Sequence, residues 1–415
     1  MPPLSYPRRC LPLLIAVLAA CAVVSVPATS ADWPQFRGPG GQGLSDDKGL
    51  PLTWSEEQGV RWKVAVPGLG WSSPVVANGR VWLTTSTGDR AASLRLLGFE
   101  VESGRLLVDT EVFRLRAAQL LNPKNSLASP TPIVDGDRVY VHFGAEGTAA
   151  ISTDGAILWK TKLSHETQHG NGGSPVLYRD LLIVNCDGFD EAYVVALDVR
   201  TGKTRWKTSR RRPWSQAYST PIVVRVDDRD VLVSVGAFRA SGYDPASGDE
   251  LWRVSYGEGF SNVPRPVAGH GLVFLTTGFQ QPAVMAVRLG GSGDVTKTHV
   301  AWTLARGAPL TPSPVLVGEE LYIVSDTGVA SCVEARTGRL LWQQRLNGNF
   351  SASPVSADGR IYFQSEEGET TVLAAGPAFR RLAVNVLNGA MLASMAVSGG
   401  AVFIRTDTHL YRIGS

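Results

Sequence analysis

The chain has 415 residues, of which 44% are hydrophobic and 19% charged. This composition is globular and excludes disorder as the main state. The formal net charge of +3 gives no reason to expect binding to nucleic acid or to an anionic membrane surface. The 44 glycines and 25 prolines have no collagen-like period, and they are typical of many turns between short strands.

The N-terminus has the pattern of an export signal. Arg8 and Arg9 precede an almost wholly apolar stretch, residues 11–26, and small residues follow as far as Ala31. We therefore predict a signal peptide over residues 1–31 and an exported protein of the periplasm or cell envelope. Removing the leader would leave 38 basic against 37 acidic residues, a nearly neutral chain.

The cysteines allow a second route of processing. Leu18-Ala19-Ala20-Cys21 resembles a lipobox, so a lipid anchor at Cys21 is an alternative to soluble export. Beyond the leader only Cys186 and Cys332 remain, both in apolar contexts typical of strands. We predict that they are buried small hydrophobic residues, without a disulfide framework.

Residues 32–59 separate the leader from the first repeat, and we predict that they form a capping segment. Trp33 and Phe36 are the large apolar side chains near its start. We expect them to cover an apolar patch at the seam between two repeats.

Residues 60–415 contain an internal repeat. Each unit starts with a small residue, proline and two or three apolar residues, followed by a turn and an alternating apolar strand. Successive prolines lie 58, 43, 46, 45, 48 and 40 residues apart, and a degenerate eighth copy follows 41 residues later. The markers are Pro74, Pro132, Pro175, Pro221, Pro266, Pro314, Pro354 and, in the eighth unit, Met395.

A second marker follows in most units. It is an acidic residue, then Thr/Ser-Gly, with tryptophan four residues after the glycine. We predict that this tryptophan packs against the neighbouring unit. The repeat tryptophans are Trp62, Trp159, Trp206, Trp252, Trp302 and Trp342.

Units of 40–45 residues with four alternating runs predict an all-β fold, an eight-bladed β-propeller of four-stranded antiparallel blades. The eighth unit ends one strand short at residues 411–413, whereas residues 59–64 form a spare strand that carries Trp62. We predict that this N-terminal strand completes the last blade and closes the ring.

The turn-plus-tryptophan repeat resembles the pyrroloquinoline quinone (PQQ) repeat, which quinoprotein alcohol dehydrogenases share with BamB-like outer-membrane assembly proteins. The resemblance covers the chain after the leader, and Asp32-Trp33-Pro34-Gln35-Phe36-Arg37-Gly38-Pro39 is similar to the start of many exported PQQ-repeat propellers. It implies either a binding scaffold or a PQQ- and calcium-dependent dehydrogenase.

In a propeller, the loops that lead into the innermost strands converge on one face of the channel, where ligands usually bind. These loops are rich in polar and aromatic residues. The candidate partner-binding residues are His169, Asn171, Arg210, Arg211, Arg212, Trp214, Tyr218, Asn262 and Arg265. Guanidinium groups pair with carboxylates and stack on aromatic rings, which suits an anionic ligand or a peptide carboxylate.

A metal site would need more than the sequence offers. His165 and His169 are four residues apart with Asp187, Asp190 and Glu191 nearby, but they lie in a glycine-rich loop rather than on a helix. We therefore predict no metal ligands.

Catalysis has no clear motif. The vicinal cysteine pair of quinoprotein dehydrogenases does not occur here. Asn171, Asp190 and Glu191 are the nearest analogues of their calcium ligands and base, without a supporting motif. The sequence favours a monomeric, non-catalytic scaffold without a cofactor, whose partner is an envelope or outer-membrane protein or peptide. The alternatives are a dehydrogenase with PQQ and calcium, or a carbohydrate-binding propeller using Trp71, Trp214 and Tyr218.

Overall fold

The computed structural model describes residues 1–2, 32–88, 92–115, 121–210 and 215–414. Almost all of the predicted leader, with Cys21, lies outside these ranges. Within them, no helix has the length and apolar character needed to cross a membrane. The helical elements of the described ranges are two single 3-10 turns, Pro39–Gly41 and Gly144–Glu146.

The strands form eight antiparallel sheets, which are the blades of the predicted propeller. Each blade runs from a short innermost strand at the axis to an outermost strand at the periphery. The strands of blades one to four are Val75–Ala77, Arg80–Thr87, Ser93–Glu100 and Leu106–Arg114; Ile133–Asp135, Arg138–His142, Thr148–Ser152 and Ile157–Thr161; Val176–Tyr178, Leu181–Asp187, Ala192–Asp198 and Thr204–Ser209; and Ile222–Val226, Arg229–Val235, Arg239–Tyr243 and Glu250–Ser255.

Blades five to eight continue the same order, except that the last strand of blade eight comes from the N-terminal part of the chain. Their strands are Val267–Gly269, Leu272–Thr276, Val284–Arg288 and Val300–Leu304; Val315–Val317, Glu320–Val324, Val329–Glu334 and Leu340–Arg345; Val355–Ala357, Arg360–Gln364, Glu369–Ala374 and Arg381–Val386; and Ala396–Ser398, Ala401–Arg405, His409–Gly414 and Val60–Ala65.

The core lies between the blades. Middle strands such as Leu181–Asp187 are buried along their whole length, because both of their faces pack on neighbouring blades. Outermost strands such as Val60–Ala65 alternate between exposed and half-buried residues. This difference explains why some runs of the repeat are continuously apolar and others alternate.

The ring is closed by the strand that the sequence predicts. Val60–Ala65 pairs antiparallel with His409–Gly414, and Trp62 lies opposite Arg412. Backbone hydrogen bonds therefore join the two ends of the repeat array, and the junction has no open strand edge inside blade eight.

Four repeat tryptophans cross a boundary between blades, as predicted. Their indole N–H groups donate to a backbone carbonyl in the glycine turn of the next blade. The pairs are Trp62 with Val101, Trp159 with Val199, Trp206 with Pro245 and Trp302 with Ala335. The Trp159 ring lies directly on Gly202, which has a φ of +68°, so this position requires glycine both for the turn and for the packing.

The other two tryptophans differ from this pattern. Trp252 lies over Gly242 of its own blade, because the longer turn of blade five adds a short strand, Gly293–Asp294, alongside it. Trp342 packs edge-on against Phe379 of blade seven, with 5.2 Å between ring centroids. Neither indole N–H has an acceptor among the described residues.

In most blades the residue before the repeat proline is serine or threonine, and it joins neighbouring blades. Its hydroxyl accepts a hydrogen bond of 2.8–3.0 Å from the backbone N–H of the equivalent residue one blade earlier. We call these bonds the hydroxyl girdle. Among the described residues they run from Ser73 to Thr131, Thr131 to Ser174, Ser174 to Thr220, Arg265 to Ser313, Ser313 to Ser353 and Ser353 to Ser394. In blade five Arg265 replaces the hydroxyl residue, so the girdle is interrupted there.

The N-terminal segment packs against the innermost strands. Trp33 forms a β-bridge with Val76 in blade one, and the carbonyl of Pro34 accepts a hydrogen bond from Val134 in blade two. Farther along, Leu44–Ser45 pairs in parallel with the innermost strand of blade seven. The segment therefore spans the channel.

This placement differs in part from the prediction that Trp33 and Phe36 both cover an apolar patch at the seam between two repeats. Trp33 is buried against the ring, whereas Phe36 reaches the central cavity. The aromatic residue between blades seven and eight is Trp54, whose ring stacks on Tyr362 at 6.4 Å and whose backbone N–H donates to Asn385. The outermost strand of blade seven has no tryptophan, and Trp54 fills that space.

Cys186 and Cys332 are free and buried, as predicted. Burial raises the pKa of the Cys332 thiol to about 12, and it also raises the pKa of Cys186. Both thiols stay protonated and unreactive near neutral pH.

We expect Ser174→Ala to destabilise the protein by about 1–3 kcal/mol, because it leaves the buried N–H of Thr131 without an acceptor. Ser174→Thr keeps the hydroxyl and should cost much less. Urea unfolding of both variants measures the difference. Equal stability of the alanine variant and the parent would contradict a structural role of the girdle.

Gly202→Ala should destabilise the protein more than Gly79→Ala. Both glycines have φ near +70°, so both substitutions carry similar backbone strain. An added Cβ at position 202 would overlap with the Trp159 ring, whereas nothing lies within 4 Å of one at position 79. The urea unfolding midpoints of the two variants measure this difference. Equal losses of stability would show that the packing of Gly202 on Trp159 does not contribute to it.

Candidate functional site

A cavity of about 590 Å³ lies at the centre of the face where the loops lead into the innermost strands. The loops of all eight blades contribute to its wall, and Phe36 from the N-terminal segment lines it as well. We call this cavity the cup. Its size is within the range of roughly 300–1,000 Å³ that is usual for ligand pockets.

The cup combines hydroxyl, amide and aromatic groups. Most of the girdle hydroxyl residues, from Ser73 to Ser394, face it. The other notable lining residues are Trp71, Asn122, Asn125, Gln168, His169, Tyr218, Phe260 and Phe279. Lys124 lines it too, and no carboxylate does among the described residues. The hydroxyl, amide and aromatic groups suit ligands that form hydrogen bonds and stack on rings.

The loop before blade two reaches over the cup. Its Lys124 forms an ion pair with Glu366 of blade seven, 2.8 Å between Nζ and Oε1, although these blades are not neighbours. Asn125 donates a hydrogen bond of 2.6 Å to the carbonyl of His169 in the loop before blade three. This loop therefore connects both sides of the opening and neutralises the charge of Lys124.

Apolar side chains extend from the cup to its rim. Phe279 is 51% exposed and packs edge-on against Phe260, with 5.6 Å between ring centroids. Leu69, in the loop before blade one, is 43% exposed. Exposed aromatic side chains beside a cavity are typical of sites that bind a partner.

Two of the predicted site residues form part of the wall. The rings of His169 and Tyr218 are 6.3 Å apart, and the Tyr218 hydroxyl donates to Gln216. Burial raises the pKa of Tyr218, so its hydroxyl remains protonated. Asn171 lies next to this wall, and its buried amide nitrogen has no acceptor among the described residues.

Arg210 is not available to a ligand, and this corrects the sequence interpretation. Its Nε donates to Oδ1 of Asp187 at 2.7 Å, and its Nη2 donates to Oδ2 of the same carboxylate. Its Nη1 donates to the Ser234 hydroxyl in blade four at 2.6 Å. The guanidinium is buried, so Arg210 joins blades three and four.

Asn262 and Arg265 also lie away from the cup surface. Asn262 is buried, and its amide donates to the carbonyl of Thr276. Arg265 is buried against the N-terminal segment. Arg211, Arg212 and Trp214 lie outside the described residues.

The candidate metal and cofactor residues have other partners. Asp190 accepts a hydrogen bond from the backbone N–H of Glu166, and Glu191 pairs with Lys207. The described part of the chain contains no cluster of three or more His, Cys, Asp or Glu side chains arranged to hold a metal ion.

Sequence reasoning missed the aromatic residues Phe36, Phe260 and Phe279. Phe36 is supplied by a segment far from the loops in sequence, so no local pattern places it in the cup. Phe279 follows the second strand of blade five, outside the loops chosen as candidates. A search of the loops between second and third strands would have found it.

The repeat, the closed ring and the cup define a propeller of the PQQ-repeat class. A family model described as outer membrane protein assembly factor BamB matches residues 44–233 and 293–380, and the chain belongs to this family. It is 30% identical over 217 residues to BamB of Alteromonas naphthalenivorans, covering 50% of this chain and 47% of that protein. BamB of Legionella pneumophila is 26% identical over 206 residues, covering 47% and 48%. The chain thus matches about half the length of these curated relatives.

Solved structures with the same fold include two different kinds of protein. BamB from Moraxella catarrhalis has a TM-score of 0.61 at 12% identity, covering 86% of this chain and 97% of that one. A europium-containing methanol dehydrogenase has a TM-score of 0.67 at 9% identity, covering 91% and 90%. At such low identity these likenesses show the fold alone.

We expect Arg210→Met to destabilise the protein by roughly 3–5 kcal/mol, because it leaves the charge of Asp187 buried without a partner. Adding Asp187→Asn should recover much of the loss. Arg205→Met, which removes two ion pairs at the surface, is the control and should cost less than about 1 kcal/mol. Urea unfolding measures all three, and a small loss for Arg210→Met alone would contradict this role.

Proposed function

We propose that this protein is a non-catalytic scaffold of the cell envelope that binds a segment of an envelope or outer-membrane protein in the cup. The observation that carries the proposal is the cup itself, to which the loops of all eight blades contribute. Family membership and relatives named as outer membrane protein assembly factors point to the same class of partner.

The chemistry of the wall suits an extended peptide. The hydroxyl and amide groups can pair with a peptide backbone in any sequence context. Trp71, Tyr218 and Phe260 offer aromatic surfaces for apolar side chains, and the exposed Phe279 extends this surface to the rim. A partner would therefore be held by its backbone and by a few apolar residues rather than by charge.

The proposal includes export to the periplasm or cell envelope, either as a soluble monomer or with a lipid anchor at Cys21. The N-terminal sequence pattern and the names of the relatives support it. We do not propose nucleic acid as a partner, because the charge is nearly balanced.

A photo-reactive amino acid at position 279 in cells that make the full chain should crosslink to an envelope protein. The same amino acid at Asp228, in an exposed hairpin of blade four on the opposite face, is the control and should not. Equal crosslinking at both positions, or none at position 279, would contradict binding in the cup.

Two alternatives have support from the cup. A cavity of this size could hold PQQ, and Trp71 and Tyr218 both lie on the wall, as a carbohydrate site would need. Against a dehydrogenase, Asp190 and Glu191 are engaged elsewhere.

Calorimetric titration of the protein with PQQ and calcium, and a dye-reduction assay with alcohols and sugars, should show neither binding nor activity. Tight calcium-dependent binding with dye reduction would favour the dehydrogenase. Sugar binding that is lost in Trp71→Ala would favour the carbohydrate-binding propeller.

A further inference from the structure

Two buried arginine side chains lie between the N-terminal segment and the ring without an acidic partner. Arg37 and Arg265 are each 1% exposed. Neither forms an ion pair with an acidic side chain of the described residues, and the positive charge of Arg265 acts on Arg37. Arg210, by contrast, is also buried but is paired with Asp187.

A single turn, residues 36–43, holds both guanidinium groups. Nη2 of Arg37 donates to the carbonyls of Gln42 and Pro314, at 2.8 and 2.6 Å. Nη1 of Arg265 donates to the carbonyl of Phe36 at 2.7 Å. An added Cβ at Gly41 would overlap with the Arg265 guanidinium, and one at Gly43 would overlap with that of Arg37. The turn therefore packs closely on both side chains.

Three of the guanidinium nitrogens have nothing to donate to. Nε and Nη1 of Arg37 and Nε of Arg265 are buried, and none has an acceptor among the described residues. Buried donors in folded proteins nearly always have a partner, which is either protein, ordered water or an ion. An acceptor carrying negative charge would satisfy these donors and also compensate the charge.

The two buried positive charges also favour a negatively charged acceptor. The pKa of each arginine is lowered to about 9, by burial in both cases and, for Arg37, also by the positive charge of Arg265. Both side chains nevertheless remain protonated near neutral pH, so two like charges are buried close together.

We propose that a small inorganic anion, such as chloride, binds between Arg37 and Arg265 and fixes the N-terminal segment to the ring. Close packing of the glycine turn favours an ion of one or a few atoms over an organic carboxylate. The position of Arg265 supports the proposal, because it interrupts the hydroxyl girdle where its side chain donates to Phe36, the residue next to Arg37.

The first test is the melting temperature in sodium chloride against sodium gluconate at constant ionic strength. Chloride should stabilise the parent, by about 2 °C for each tenfold increase above the dissociation constant. Arg265→Ser, which restores the hydroxyl found in the other blades, should fold and lose this response. Equal melting temperatures of the parent in the two salts would overturn the proposal.

A matched control is Arg405→Ser. Arg405 is also 1% exposed, has no acidic partner and has a buried Nε without an acceptor among the described residues. Its Nη1, however, donates to Ser72 and Thr84 of blade one rather than to the N-terminal segment. This variant should keep the chloride response. Loss of the response in both variants would mean that it is not specific to the site at Arg265, and this would also overturn the proposal.

The second test does not depend on any variant folding. Crystals of the parent protein soaked in bromide should show an anomalous peak within hydrogen-bond distance of both guanidinium groups. Water at this position, with no anomalous signal, would show that solvent rather than an anion satisfies these donors.

Discussion

The pairing of Val60–Ala65 with His409–Gly414 is the interaction on which the rest of the structure depends. Every blade buries its faces against two neighbours, so the ring is stable only if the last blade also meets the first. The closing strand brings Trp62 to the turn of blade one, where its indole donates to Val101. The N-terminal segment that precedes this strand is held across the channel by its own contacts with the innermost strands of blades one, two and seven.

Closure of the ring also explains why a cavity lies at its centre. In an eight-bladed ring the innermost strands cannot meet at the axis, and a channel remains between them. The hydroxyl girdle ties these strands together at the loop face, and its side chains form much of the cup wall. The N-terminal segment contributes Phe36 and thus helps to turn a channel into a cavity. The groups that stabilise the ring are therefore also those that a partner would meet.

The sequence predicted the propeller, the number of blades and the closing strand, because these follow from local markers that recur with a fixed period. It predicted the site less well, because a cup is built from residues far apart in the chain. Arg210 looked like a ligand-binding residue in an arginine run, but its partner Asp187 is 23 residues away in sequence and could not be identified. Arg265 did stand out as a departure from the serine or threonine before proline. Only the contact with Phe36, 229 residues away, shows what it binds.

The central claim is that a partner binds in the cup. Hydrogen exchange of the protein tests this most directly. It is measured with and without the envelope protein that the crosslinking experiment at position 279 identifies. The account predicts added protection in residues 121–131, 256–263 and 277–282, which line the cup and its rim, and none in the outermost strands. Protection confined to an outermost strand such as Arg381–Val386, or to the hairpins of the opposite face, would contradict it.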